Sequence, residues 1–400
     1  MGEETAFAVG DRVKELVKEG KDIIGFHIGD IKGIETPQFI KDANQKALEE
    51  GKTGYPPTPG IPELRQAYAE MVSAEVGVDY TLDNVVIQSG GKPTIFKFLL
   101  ETVNPGDVVM YPSPGYPIYE SLVDALGGGR APFTLIKDDL ETRLDMDYIR
   151  ENAPHTKVFI LNDHQNPTGY TLTKSEMEEI AELAVKNNWM VLADEAYFDN
   201  FYDGKSDSIA SYLGMAERTV ILRTSSKKYA MTGWRVGAAI GPEEFMIDFA
   251  KIVNNDESAV AHDHQWAMVE AIKHGDEDAY LIRKELEGRR DQMYNALTNM
   301  HEVKVDLPDS TFYMWVDATE PFTRARAKNP NYAGEQFLED AMSKFGMSFT
   351  LRKHFGEPLQ LELDKNPNEL FIRFAYSATD SNQIKEGMTR FHRFIQSFYN

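Results

Sequence analysis

The stretch "TSSKKYAMTGWRVG", residues 224–237, sets two adjacent lysines, Lys227 and Lys228, among hydroxyls and ahead of Arg235. A lysine amine that has lost its proton is both a nucleophile and a base, so one of the pair could form an imine with an aldehyde. Four more clusters carry equally unusual chemistry: "SGGKP" with Gly90, Gly91 and Lys92, "PSPGYP" with Tyr116, "NDHQNPTG" with Asn166, and "DEAYFD" with Asp194 and Tyr197. Together they offer an amine, a carboxylate, hydroxyls, an amide, aromatic rings and glycine-rich backbone for an anion. That set suits a phosphorylated aromatic aldehyde.

Each cluster follows a short apolar run that must position it. "NVVIQSG", "DVVMYPSP", "KVFILND", "WMVLADEAY", "TVILRTSS" and "GWRVGAAIGP" read as buried strands. Between them lie helical patterns such as "KSEMEEIAELAVKNN", which opens after Thr171 and Thr173, both able to cap it. The alternation predicts an α/β fold whose mostly parallel sheet is flanked by helices, with ligands at the carboxyl ends of its strands. Gly90, Gly91 and Lys92 precede a helix expected to open at Pro93, where backbone N–H groups could cradle a phosphate. Near the C-terminus, Arg373 in "FIRFAYS" sits between apolar residues of a further predicted strand. A buried guanidinium needs an anion, and a substrate carboxylate and an internal one are both open readings.

At 400 residues the chain is long enough for two or three domains, yet no Pro/Gly/Ser-rich linker divides it. The domains are therefore expected to be interleaved or tightly joined. Sixty-four acidic against 42 basic residues give a net charge of -22, which repels phosphate backbones and anionic lipid, so neither nucleic acid nor a membrane is an expected partner. The lack of cysteine removes disulfides, thiolate metal sites and thiol nucleophiles. No apolar run approaches the ~20 residues of a membrane span, and the charged first twenty residues do not resemble a secretion signal, so a cytoplasmic protein is expected.

"YPPTPGIPELRQA", "NPTG", "DEAY", "SSKKYAMTGWRVG" and "FIRFAYS" occur in one order and spacing, and in this the chain resembles the class I/II aminotransferases from about residue 5 to the C-terminus. The resemblance implies the fold type I of pyridoxal-phosphate enzymes, a large domain over residues 47–283, and a small α+β domain from 1–46 and 284–400 with an N-terminal arm. It implies pyridoxal 5'-phosphate as cofactor, Lys227 as the Schiff-base residue and α-proton base, and Asp194 beneath the pyridine nitrogen. Asn166 and Tyr197 then serve the ring oxygen, and Tyr116 stacks on the ring. Thr224, Ser226 and Arg235 bind the phosphate beside Gly90, Gly91 and Lys92. Arg373, with Gly29 and Asn166, takes the substrate carboxylate. Tyr55 in "GYPPTPG" matches a tyrosine that reaches the neighbouring subunit's phosphate, which implies a homodimer.

The implied reaction is transamination of an L-α-amino acid with a keto acid, through external aldimine and quinonoid intermediates. Departures from the family pattern fall at "GDIKGIETP", "NDHQ", "NNDESAVAHDHQ" and "LRKHFG", all expected near the substrate. They introduce His164, His262 and His264, and His27 lies two residues before Gly29; His27 or His264 would manage substrate protons, and no metal is expected. They also open an alternative on the same scaffold, an oxidase or desaturase of L-arginine that consumes O2, with Asp30 and Asp163 suited to a cationic side chain. A non-catalytic or DNA-binding relative is disfavoured by the retained lysine and the acidic charge.

Overall fold

The computed structural model describes residues 6–137, 142–357, 366 and 368–399. Seven strands form the larger sheet: β1 (Val85–Gln88), β2 (Val108–Pro112), β3 (Gly129–Phe133), β4 (Thr156–Leu161), β5 (Met190–Asp194), β6 (Thr219–Thr224) and β7 (Gly237–Ile240). Their order is β1-β7-β6-β5-β4-β2-β3; β7 runs antiparallel to β1 and β6, and the other pairs are parallel. Alternate side chains enter opposite cores. Phe159, Leu161, Val191 and Ala193 face one, whereas Val158, Ile160 and Leu192 face the other. A sheet buried on both faces explains why these strands read as continuous apolar runs.

The sequence reading anticipates six of the seven strands and misses β3, "GRAPF". Gly129 and Pro132 disguise it. Because β3 pairs only with β2, Pro132 sits on an edge strand, where a missing N–H is tolerated. The helix Lys174–Asn187 starts as expected: Thr173 caps it, accepting from Glu176 N while Glu176 bonds back to Thr173 N, and Asn188 ends it at φ 54°. Such a capping box is worth about 1 kcal/mol.

A second, antiparallel sheet joins β8 (Lys304–Val305), β9 (Tyr313–Asp317), β10 (Thr350–Leu351) and β11 (Phe371–Ala375) in the order β8-β9-β11-β10. Its own core includes Phe312, Met314, Ile372, Phe374 and Phe391. The N-terminal segment is tied to it, since Ile24–Gly25 pairs with Met347–Ser348 and Phe26 O accepts from Ala375 N at 2.8 Å. That tether carries His27 and Gly29 toward the larger sheet. Residues 46/47 lie inside the helix Gln38–Glu49, whose Ile40 packs in the larger sheet's core, and 283/284 lie inside the helix Asp276–Thr298. Among the described residues no helix is long and apolar enough to cross a membrane.

One local reading is corrected. His262 and His264, weighed as alternate positions of one strand face, open the helix His262–His274. At 3.6 residues per turn two positions are about 200° apart, so the rings diverge. No described cluster of three or more His, Cys, Asp or Glu could hold a metal.

Candidate active site

Five strand ends of the larger sheet converge on a cavity of about 370 Å³, and the second sheet with the N-terminal segment supplies its opposite wall. Gly91 and Lys92 follow β1, Tyr116 follows β2 and Asn166 follows β4 around it. Asp194 ends β5 with Tyr197 just beyond, and Thr224 ends β6, followed by Ser226, Lys227 and Arg235. His27, Gly29 and Arg373 line the far wall.

The doubled lysines part company here. Ser225–Lys228 form one helical turn capped by Thr224, so consecutive side chains leave it in different directions. Lys227 Nζ enters the cavity and donates to Gly29 O at 2.7 Å, with no ion pair to a described residue. Loss of solvent, aided by Arg373 and Arg235 and opposed by Asp30, lowers its pKa from the usual 10.5 to about 8. Lys228 Nζ turns away to Asp199 at 2.9 Å, and its carboxylate neighbours more than offset burial, raising its pKa.

Asp194 is buried, and its carboxylate accepts from Tyr119 Oη at 2.6 Å and Ala196 N at 3.2 Å. It makes no ion pair with a described residue, and burial raises its pKa against those two bonds. A carboxylate so placed has room for one cation from the cavity. At the far wall, Arg373 Nη1 donates to Asn166 Oδ1 at 2.8 Å and Nη2 to His27 O at 3.0 Å. Its guanidinium lies 4.2 Å from the Tyr313 ring centroid and 4.6 Å from that of Phe355. His27 Nδ1 is 2.7 Å from Ser348 Oγ; burial first, then the charge of Arg373, lowers its pKa to about 4, so the ring is neutral near pH 7.

At the other end, Arg235 bonds only carbonyls among the described residues, Thr232 O at 2.9 Å and Ser89 O at 3.0 Å. Gly90, at φ 87°, does not line the cavity; a Cβ there would overlap the Arg235 guanidinium, so its lack of a side chain is what admits Arg235. Gly91 precedes the helix Lys92–Thr102, whose N-terminal dipole favours an anion.

The family model for aminotransferase class I and II matches residues 21–391. The chain belongs to the class I and II aminotransferases. This aminotransferase is 32% identical over 398 residues, 97% of its own length and 94% of the other's, to a Rhizobium leguminosarum bv. phaseoli protein named "Probable aspartate/prephenate aminotransferase". It matches a double mutant of Thermus thermophilus aspartate aminotransferase at TM-score 0.86 and 27% identity, covering 98% and 97% of the two chains. N-succinyldiaminopimelate aminotransferase from Mycobacterium tuberculosis matches at TM-score 0.86 and 26% identity, covering 98% and 100%. The aminotransferase is thus a fold type I, pyridoxal-phosphate-dependent enzyme. Its cavity fits the cofactor: a buried carboxylate without a described cation, a glycine-rich helix start with an arginine that has no described carboxylate partner, and a half-buried amine lie around one space. The relatives support amino-group transfer and lend no support to the oxygen-consuming alternative.

Several expected neighbours of the substrate are elsewhere. His164 is buried between Thr171 Oγ1 and Ser206 Oγ and stacks on Phe201, a structural role fixed by its own hydrogen bonds. His264 Nδ1 meets Trp234 O, and neither it nor His262 lines the cavity. Asp163 accepts from Leu172 N and Asp30 from Ile31 N and Thr232 Oγ1, and neither residue lines the cavity. Tyr55 is 93% exposed and outside the cavity of its own chain. The sequence reading missed Tyr119, three residues after Tyr116 and legible from that helical spacing, and Asn162, which orients Asn166 N and Asp194 O. It also missed Tyr313, which no local signal marks, and did not single out Phe355 within "LRKHFG", a segment expected near the substrate.

Proposed function

We propose that this aminotransferase moves the amino group of an L-α-amino acid to a keto acid with Lys227 as the covalent anchor and proton carrier. The observation that carries this is the Lys227 amine, lowered to about 8, inside the space shared by Asp194 and Arg373. Bound pyridoxal phosphate would supply a ring that accepts negative charge from the substrate Cα. Asp194 would keep the ring nitrogen protonated, while Asn166 and Tyr197 would hold the ring oxygen and Tyr116 would cover one face. Thr224, Ser226, Arg235 and the backbone at Gly91 and Lys92 would hold the phosphate, with Gly90 making room for Arg235. Arg373, oriented by Asn166 and His27 O, would grip the substrate carboxylate near Gly29, and Lys227 would take the α-proton and return it.

The wall offers Ile28 and Phe355 to the substrate side chain, and the only described arginines on the cavity are Arg235 and Arg373. A second carboxylate therefore finds no guanidinium of its own, which favours aromatic or aliphatic amino acids over aspartate. We read residues 47–283 as the cofactor domain and 1–46 with 284–400 as the domain that closes on it. We also read Tyr55, exposed on its own chain, as reaching a second subunit of a homodimer, where an otherwise solvated ring would be covered.

Borohydride reduction of the cofactor-loaded enzyme followed by peptide mapping should place the label on Lys227. An amino-acid panel with 2-oxoglutarate should accumulate glutamate. No half-reaction with any amino acid sinks the proposal. Oxygen uptake is followed in the same panel with L-arginine; uptake without a keto acid selects the oxygen-consuming alternative.

A further inference from the structure

Tyr313 opens β9, is 3% exposed, and reaches the cavity wall from the second sheet, whereas Lys227 enters from the turn after β6. Its hydroxyl lies 2.6 Å from that of Tyr197, with the rings edge to face at 5.6 Å. A Cβ on Gly29 would overlap the Tyr313 hydroxyl, so the glycine at 29 is what permits the two phenols to meet. Two sheets and the N-terminal segment thus converge on one oxygen pair.

A phenol has one proton to give and lone pairs to accept with. Burial raises the Tyr197 pKa well above its ordinary value, so that proton stays on it at working pH. If Tyr197 gives its proton into the cavity, it must accept across the 2.6 Å contact, and Tyr313 must be the donor. Donation into a hydroxyl makes that hydroxyl a better donor in turn.

We propose that Tyr313 is a positioning residue for the reaction: its hydroxyl donates to Tyr197 and holds the Tyr197 proton aimed at the cofactor's ring oxygen. The inference rests on the reading of Tyr197 given above. Tyr313 also faces the Arg373 guanidinium with its ring, and the two roles separate cleanly because Tyr313→Phe removes the hydroxyl and keeps the ring.

The test is a spectrophotometric pH titration of the cofactor-loaded enzyme, reading the midpoint of the cofactor's visible band, for Tyr313→Phe, Tyr197→Phe and the double variant. A weaker donor to the ring oxygen leaves its negative charge less stabilised and moves the midpoint up, by about half a pH unit for Tyr313→Phe and about one unit or more for Tyr197→Phe. Because Tyr313 acts through Tyr197, the double variant should titrate like Tyr197→Phe alone. Tyr313→Phe should lower kcat about fivefold and leave the amino-acid KM within about twofold, since the ring over Arg373 remains. A folded, cofactor-loaded Tyr313→Phe with an unmoved midpoint overturns the inference while Tyr197 keeps its role. So does a Tyr313 shift that persists in the Tyr197→Phe background. An unmoved midpoint in Tyr197→Phe itself overturns the reading of Tyr197 and the inference with it.

Discussion

The two sides of the Ser225–Lys228 turn hold the same residue types in opposite states. On the cavity side, Lys227 and Asp194 are a cation and an anion without ion-pair partners among the described residues, and removal from water shifts each toward its neutral form. Behind the turn, Lys228 and Asp199 pair at 2.9 Å, and Arg223 packs between Glu195 and Glu75 at 2.8 and 3.0 Å. The difference lies in whether a buried charge is offered its opposite. Paired, it anchors the turn; unpaired at a cavity, it awaits a ligand.

The largest break in that comparison is Lys227→Ala, expected to lower kcat by about 10⁴-fold or more because Lys228 cannot reach the cavity from its ion pair. Steady-state assay and borohydride labelling check it; label on Lys228 with retained turnover would contradict the assignment. Asp194→Ala follows, with kcat expected to fall about 10²- to 10³-fold and the cofactor held more weakly, as measured by activity and by fluorescence titration. The rear side is broken by Asp199→Ala. Leaving a nearly buried ammonium with only the exposed Asp276 carboxylate, 3.9 Å away, should cost at most about 3 kcal/mol in urea unfolding, and Lys228→Met distinctly less because Asp199 is nearer to solvent.

A pH series sharpens the same contrast. With a midpoint of about 8, the fraction of neutral Lys227 amine rises through that pH, so the apoenzyme's rate of cofactor uptake should climb roughly tenfold from pH 7 to pH 9 and then level off. The stability effect has the matching sign. A folded-state value below 10.5 means that the cost of the buried ammonium is fully present below pH 8 and disappears as pH rises from 8 to 10.5. A rate profile centred near 10.5 would show that burial does not tune this amine. The smallest effect is expected from Tyr55→Phe, which should weaken cofactor binding about threefold through the loss of one hydrogen bond, and only where the proposed dimer forms, as seen by titration across a range of protein concentrations.

Much of the floor of the site was legible because each of its residues stands next to a strand end that announces itself. Asp194, Thr224 and the Gly90–Gly91 turn follow apolar runs directly, so local pattern carries them to the same edge of the sheet. The wall was less legible. "LRKHFG" gave no sign that Phe355 would lie against the Arg373 guanidinium, and nothing around Tyr313 points to Tyr197, since that contact spans 116 positions. The histidines show the reverse error. His164 and His264 sit beside motifs that line the cavity, yet the hydrogen bonds to Ser206 and Trp234 turn them away.

By itself the sequence determined the alternation of strands and helices and the strand ends that would carry chemistry, because these depend on periodicity along one stretch of chain, and its resemblance to the family led to the expectation of Lys227 over its neighbour. Only the tertiary structure decided what surrounds each of those groups. The lowered Lys227 amine, the Tyr119 bond to Asp194 and the Tyr197–Tyr313 pair all arise where distant segments exclude water together, and desolvation is a property of the packed space rather than of any one stretch of residues.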